Sequence, residues 1–506
     1  MKKKLTRIAA LMLAVMMFAG TSISTYAMDR SYTYNYDWWE DVQDSPDFYT
    51  VCKVFTYKDL GLDMNMKAPD SLFVIDDRMF ICDTGNNRVI ELKRGENETF
   101  ELVRYIYGFK GKRGTEMVTT FSSPKDIAVS EDGNIFVADY GNNRIVKMDE
   151  NLNYIMQFDA PVDASLDPNT PFKPKKIVID TAERVYCVAE GINKGLVKYE
   201  NDGVFSGFIG ANKVTFNWID YLWKKFSTQA QRDKMEGFVP TEYDNAYMDH
   251  EGFIYVCTDG YTEDEWREET AEAVRKLNMM GNDILVRNGE YPIYGDLYIG
   301  TAGQYSGPSA FLDVTVLDND VFVCLDSNRG RLFGYDDQGK LVFAFGGGGN
   351  MEGYFRKAYS PTAVEHMGNA LYVLDTLDCS ITMFVTTEFG ETVFEAMEQF
   401  DEGNYEASEA AWRHAMELNG NYDLAYIGVG RALLRQERYK EAMEYFELKY
   451  DAENYSKAYK QYRKEWVEEN IALIVVVLLI LIIVPLGIGK VKSIKHEIEI
   501  ADIFKV

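Results

Sequence analysis

Asp83-Thr84-Gly85-Asn86-Asn87-Arg88-Val89 follows the apolar run Met79-Phe80-Ile81-Cys82, and 56 residues on both elements return. The second copy is Ile135-Phe136-Val137-Ala138 followed by Asp139-Tyr140-Gly141-Asn142-Asn143-Arg144-Ile145. A strand and a tight turn recurring at long spacing mark a repeat architecture, which has to be read before any single residue. Asp and Asn suit such a turn because their side chains bond nearby backbone and tolerate left-handed φ. A repeated motif builds scaffold, so function is sought where the repeats differ.

Working outward, comparable units start at Pro69, Pro124, Pro174, Pro240, Pro308 and Pro361. Their central strands fall near Phe80, Phe136, Tyr186, Tyr255, Phe322 and Tyr372. Each unit reads as short strands joined by Gly- and Asn-rich turns, the second with a tight turn at Asp132-Gly133-Asn134. Six such units, each with four strands, predict a mainly β fold, a six-bladed β-propeller over residues 49–390. The last unit runs straight from Ile381–Thr387 into helical sequence and lacks an outer strand. Tyr49–Tyr57, an alternating strand before the first unit, is placed to fill that gap and close the ring.

The Asp-x-Gly-Asn-Asn-Arg motif resembles the NHL repeat, whose fold is a propeller. It is strong in the first two units and decays to Asp326-Ser327-Asn328-Arg329 and Asp375-Thr376-Leu377-Asp378 in the fifth and sixth. Asp83, Asn86, Asn87, Arg88, Asp139, Asn142, Asn143 and Arg144 are read as structural, the two arginines reaching a carboxylate or carbonyl of a neighbouring blade. Cys82, Cys257 and Cys324 take the strand position of Ala138 in separate cores and read as small buried hydrophobes rather than disulfide partners.

The ends place the chain at a membrane. Lys2, Lys3, Lys4 and Arg7, the apolar stretch Ile8–Gly20 and Thr25-Tyr26-Ala27 make a signal peptide over residues 1–27, a retained anchor being the alternative. Residues 28–48 form an N-terminal extension with no assigned element. Residues 471–489 carry no charge and, at 1.5 Å per residue, span about 28 Å as a helix. Glu465, Glu468 and Glu469 precede this stretch, and Lys490, Lys492 and Lys495 follow it. The positive-inside bias therefore predicts a single-pass type I protein with residues 490–506 in the cytoplasm and the large domain outside.

Between propeller and span, residues 391–470 turn helical. Tyr405 recurs as Tyr439 and Trp412 as Phe446, both 34 residues apart, with small residues at Ala411, Ala415, Gly428, Ala432 and Ala442. The spacing resembles tetratricopeptide repeats, two of them, followed by a helix Ala452–Asn470 that could run into the span. They serve either as a stalk or as a shallow peptide groove.

The formal charge of −27 argues against nucleic acid, which needs a basic footprint. An insertion at about 214–236 departs from this background. Phe216, Ile219, Trp223, Phe226 and Ala230 fall at helical spacing beside Trp218, Tyr221 and Leu222, with Lys224, Lys225, Arg232 and Lys234 on a basic side. It either caps a propeller face or docks a partner, and Trp218, Tyr221, Trp223 and Phe226 are the candidate contacts. Acidic Glu263-Asp264-Glu265 and Glu268-Glu269 read as a solvated helix start.

No cofactor is expected. Of four histidines, only His250 and His366 lie in the propeller, too few for a three-His zinc site. A carboxylate and Asn cluster holding a divalent ion in the channel, as in lactonase-like propellers, stays open as the alternative: a metal-dependent lactonase- or lyase-like enzyme. The whole arrangement resembles a group of cell-surface proteins from Gram-positive bacteria. That resemblance implies a non-catalytic scaffold binding a protein or glycan, with components of a sugar ABC transporter as possible partners.

Overall fold

The computed structural model describes residues 32–111, 117–163, 166, 170–210, 242–258, 261–298, 307–356 and 360–503. The chain divides into two compact units, Met1–Glu391 and Thr392–Val506. The first is a six-bladed propeller. Blade 1 comprises Ser71–Ile75, Arg78–Asp83, Arg88–Arg94 and Phe100–Ile106, paired antiparallel in that order. Blade 2 comprises Pro124–Val129, Ile135–Asp139, Arg144–Met148 and Tyr154–Phe158, and blade 3 Pro174–Ile179, Val185–Ala189, Leu196–Tyr199 and Phe205–Ile209. The first strand of each blade is innermost. Consecutive inner strands lie side by side, and the sixth lies against the first, so the ring is closed.

Closure works as the alternating strand implied. Tyr49–Phe55 pairs with Ser380–Thr386 and completes blade 6, whose other strands are Pro361–Met367 and Ala370–Asp375. The blade therefore joins the two ends of the propeller through main-chain hydrogen bonds, and Phe55 is buried against Phe100 of blade 1 with ring centroids 5.3 Å apart.

Two blades depart from four strands. Blade 4 shows three among the described residues, Asn245–Met248, Ile254–Cys257 and Val274–Leu277, followed by a single bridge between Leu277 and Asp283. Gly289, Pro292 and Gly295 interrupt the alternation beyond it, and Leu285, Ile293 and Tyr294 plug the core from irregular backbone instead. Blade 5 has six: Phe311–Val316, Phe322–Asp326, Arg331–Tyr335 and Leu341–Gly346 are extended by Thr33–Tyr36 and Val42–Asp44. The stretch before residue 49 thus covers the edge left by Leu341–Gly346. Asp296 anchors it, accepting from Tyr34 at 2.6 Å and Tyr36 at 2.9 Å while Arg329 Nε lies 3.1 Å away.

The cores sit between blades, because each sheet buries both faces. Aromatic rings fill the seam between blades 5 and 6, where Tyr49 stacks on Phe345 at 5.1 Å and Phe345 meets Phe384 at 5.2 Å. Cys82, Cys187, Cys257 and Cys324 are buried and free, whereas Cys52 is exposed and Cys379 half-buried. One expectation about them is corrected. Asp326, paired with Arg331, is the equivalent of Asp83 and Asp139, so Cys324 lies one residue earlier than Cys82 and faces the other way. It shares a core with Cys257 instead of occupying a separate one.

In the second unit, helices Glu388–Asp401, Tyr405–Leu418, Asp423–Arg435 and Tyr439–Leu448 lead to a continuous helix, Ala452–Ile503. The 34-residue spacing has a physical form here: Tyr405 and Tyr439 each open a helix, and Trp412 and Phe446 are both buried. Gly428 lets the Trp412 ring lie against its backbone, since a Cβ there would stand 2.4 Å from Trp412 Cε2. The last helix is long and apolar enough to cross a membrane, and its Ile, Leu and Val side chains from Ile471 to Ile488 are exposed or half-exposed.

Candidate functional site

The repeated turn is a closed polar unit. Asp83 is fully buried; its carboxylate accepts from Lys67 N at 2.7 Å, Asn86 Nδ2 at 2.8 Å and Arg88 Nε at 2.7 Å. Asp139 does the same with Ser122 N at 2.8 Å, Asn142 Nδ2 at 2.8 Å and Arg144 Nε at 2.9 Å. Asn87 and Asn143 hold the left-handed φ, 52° and 58°, that ends each turn. Gly85 and Gly141 are required by close approach: a Cβ would lie 2.6 Å from the Lys67 carbonyl oxygen or 2.6 Å from that of Ser122.

The arginines do not reach the next blade. Arg88 bonds Asp63 at 2.7 Å and stacks over Tyr105, and Arg144 bonds the Val118 carbonyl at 2.7 Å. Both partners lie on the linker that leads into the same blade. The link to the next blade comes from Thr84, donating to the Pro124 carbonyl at 2.7 Å, and from Asn87, accepting from Ser123 N at 2.7 Å. Short side chains suffice there because the turn already abuts the neighbour.

A cavity of about 600 Å³ opens inside the ring of inner strands. Its volume falls in the range of small-molecule pockets. One rung of the inner strands is polar almost all the way round. Pairing with the second strand of each blade identifies it: Ser71, Asp126, Lys176, Asn245 and Asp313 face Cys82, Ala138, Val188, Cys257 and Leu325, with Ala363 facing Leu374 in blade 6. All five polar members are buried. Asp126 accepts from Ser71 Oγ at 2.6 Å and from Ile177 N of the next blade at 2.7 Å. Asp313 accepts from Asn245 Nδ2 and, at 2.8 Å, from Val364 N of the next blade. Each carboxylate thus staples its blade to the one that follows.

Electrostatics set this rung apart. Burial lifts the Asp126 carboxyl above the ordinary range, partly offset by Lys176, whose Nζ lies 3.8 Å away. Burial pushes Asp313 up to about 6. Glu365, two residues beyond Ala363 on the same strand, is lifted well above the usual range by burial and by the Asp313 charge. Burial works against the Lys176 ammonium, yet Asp126 and Asp313 outweigh it and hold the group charged.

The mouth is acidic. Turns between first and second strands place Glu131, Asp132, Asp180, Glu183, Asp249 and Glu251 around it. Several are held: Arg184 binds Asp180 at 2.6 Å and Lys147 binds Glu183 at 2.5 Å. Sequence reading missed the channel because each member appears as one polar residue within an apolar strand. The signal available was their shared rung. The expected acidic helix start is present as Glu263–Arg267, with a capping box between Thr262 and Glu265. Trp218, Tyr221, Trp223 and Phe226, and the whole 214–236 insertion, lie outside the described residues, as does the 1–27 segment.

A divalent ion does not fit the channel residues. Among the described residues no three His, Cys, Asp or Glu groups converge so as to hold a metal ion. Asp126 is committed to Ser71 Oγ and Ile177 N, and an ammonium already stands 3.8 Å from it.

The NHL repeat family model matches residues 121–148, the span from just before blade 2 through its third strand. No curated protein matches the sequence. Among solved structures the chain is similar to virginiamycin B lyase from Staphylococcus aureus, at 9% identity and TM-score 0.38 over 67% of this chain and 100% of that one. It is also similar to a structural genomics protein of unknown function from Bacteroides thetaiotaomicron, at 11% identity and TM-score 0.38 over 67% of this chain and 76% of that one. No role is transferred from either.

Proposed function

We propose that this chain is a membrane-anchored extracytoplasmic binding protein, with the propeller as its recognition unit and the apolar part of Ala452–Ile503 as its tether. The observation that carries this reading is the pairing, in one chain, of a closed propeller with a pocket of about 600 Å³ and a helix whose exposed face is apolar through its middle. Exposed Ile, Leu and Val along such a length are stable in lipid and costly in water. Residues 1–27, read as a signal peptide, and Lys490, Lys492 and Lys495 directly after the apolar stretch favour the propeller outside and the C-terminus inside. Binding is preferred to metal-dependent hydrolysis or lysis because the channel carboxylates serve the neighbouring blades and Lys176.

A protein or glycan is the proposed macromolecular ligand, with components of a sugar ABC transporter as partners. Trp218, Tyr221, Trp223 and Phe226 are the proposed contacts, and the helices of 391–470 the proposed tetratricopeptide-like spacer. Cys52 supplies a direct test of topology. A membrane-impermeant maleimide applied to intact cells should label this exposed thiol, and crosslinking in native membranes followed by mass spectrometry should recover a reproducible partner. Labelling only after lysis, or recovery of the chain in the soluble fraction after carbonate washing, would overturn the reading.

A further inference from the structure

The inner ring repeats itself with a half-turn. Blades 1, 2 and 3 contribute a donor, a carboxylate and a cation: Ser71 donates to Asp126 at 2.6 Å, Asp126 takes Ile177 N at 2.7 Å, and Lys176 stands 3.8 Å from Asp126. Blades 4, 5 and 6 likewise contribute a donor and a carboxylate, the Asn245 amide to Asp313, which takes Val364 N at 2.8 Å. The third place differs. Where blade 3 has Lys176, blade 6 has Ala363 on the same rung.

That half also carries one carboxylate more. Glu365 lines the cavity and is 7% exposed. Its contact with Thr315 Oγ1 is 3.4 Å, outside normal O–H···O range, and that hydroxyl lies 2.8 Å from His366 Nδ1. Among the described residues neither Asp313 nor Glu365 has a cation within ion-pairing distance, although the Lys176 charge is felt by both. Buried carboxylates that no cation touches hold a proton or take a cation from outside. The cavity leads to this place, and Tyr247 and Phe73, on its wall, add aromatic surface.

We propose that the channel binds a small organic cation, its primary ammonium seated between Asp313 and Glu365 in the place that Lys176 fills in the other half of the ring. The aromatic and aliphatic wall would hold the body of such a ligand, and the acidic mouth would attract it. This site depends neither on the tether nor on a macromolecular partner, so it can fail while the proposed function stands.

The test uses the full chain in detergent at pH 7.5. A series of primary ammonium ions from methylammonium to tyramine, 4-ethylphenol as the neutral counterpart of tyramine, and Ca2+ are titrated by calorimetry and thermal shift. Saturable binding of at least one amine, with 4-ethylphenol inert, is expected. Glu365→Gln should weaken it by about tenfold or more, in line with loss of a charge-assisted partner. Ala363→Lys, at a position fully buried against the core between blades 6 and 1, should bring a tethered ammonium to the seat and abolish amine binding. Should Ala363→Lys fail to fold, Glu365→Gln alone decides. No amine binding at 10-millimolar order, equal binding by wild type and Glu365→Gln, or saturable Ca2+ binding lost in Glu365→Gln would each overturn the proposal.

Discussion

Replacing Lys176 with methionine removes the ammonium of the channel rung while keeping most of its buried aliphatic volume. Asp126, 3.8 Å away, and Asp313 both rely on that charge. In the variant they either stay ionised without it, which for a severed buried pair costs about 3–5 kcal/mol, or one of them takes a proton. Protonation sets the ceiling. A carboxyl that titrates near ~3.9 when unfolded costs roughly 1.4 kcal/mol to neutralise for each pH unit above that value. Asp313, already lifted to about 6 beside Lys176, has about one further pH unit to lose at pH 7, so the added penalty is about 1.4 kcal/mol there and close to nothing at pH 5. The folded pKa of such a carboxyl is raised, so the native state holds the proton more tightly than the unfolded chain. The deficit accordingly grows as pH rises and shrinks as it falls. With unfolding entropy near 2 cal/mol/K per residue, a unit of this size shifts by roughly 1.3 °C per kcal/mol. Calorimetric melting of the full chain should show Lys176→Met about 2 °C below wild type at pH 7 and close to it at pH 5. A deficit under about 1 °C at pH 7, or one that widens toward pH 5, would refute the account of the rung.

Other perturbations probe the scaffold. Gly141→Ala puts a Cβ 2.3 Å from Ser122 Oγ and 2.6 Å from the Ser122 carbonyl oxygen, and should lower stability by about 2–3 kcal/mol, read as a drop of roughly 3–4 °C. Phe55→Ala empties the closing seam at a cost of about 3–5 kcal/mol and should make the 49–55 strand the first site of protease attack. A thiol reagent at pH 8 should modify Cys52 in the native chain. Cys82, Cys187, Cys257 and Cys324, whose thiols burial pushes well up, should react only after denaturation. Gly428→Ala should force the Trp412 ring off its neighbouring helix and appear by circular dichroism as earlier loss of helical signal.

What could be read from sequence was what is local. The Asp-x-Gly-Asn-Asn-Arg turn satisfies its own donors within a few residues, so its composition announces it. Tyr49–Phe55 was legible because its alternation has no partner nearby and the last unit has a vacancy. Thr33–Tyr36 was not, since its place is fixed by pairing with residues 344 and 345 and by Asp296, all about three hundred positions away. The irregular backbone that follows the three described strands of blade 4, and the reach of Arg88 toward its own linker, were likewise set by tertiary context. The channel rung stayed hidden for a different reason. Asp126, Lys176 and Asp313 look like isolated polar interruptions until six registers are laid side by side, and Ala363 is informative only as the exception among them.

Ring closure also dictates when this molecule can finish folding. Residues 49–55 are made early, yet the strand they join ends at Thr386. During synthesis the leading segment must wait, unpaired, while five blades are made behind it. A chain halted before that point exposes raw sheet edges to its neighbours, and aggregation competes with completion. The speed of chain completion and the help of chaperones would then govern its yield more than the stability of the finished ring does.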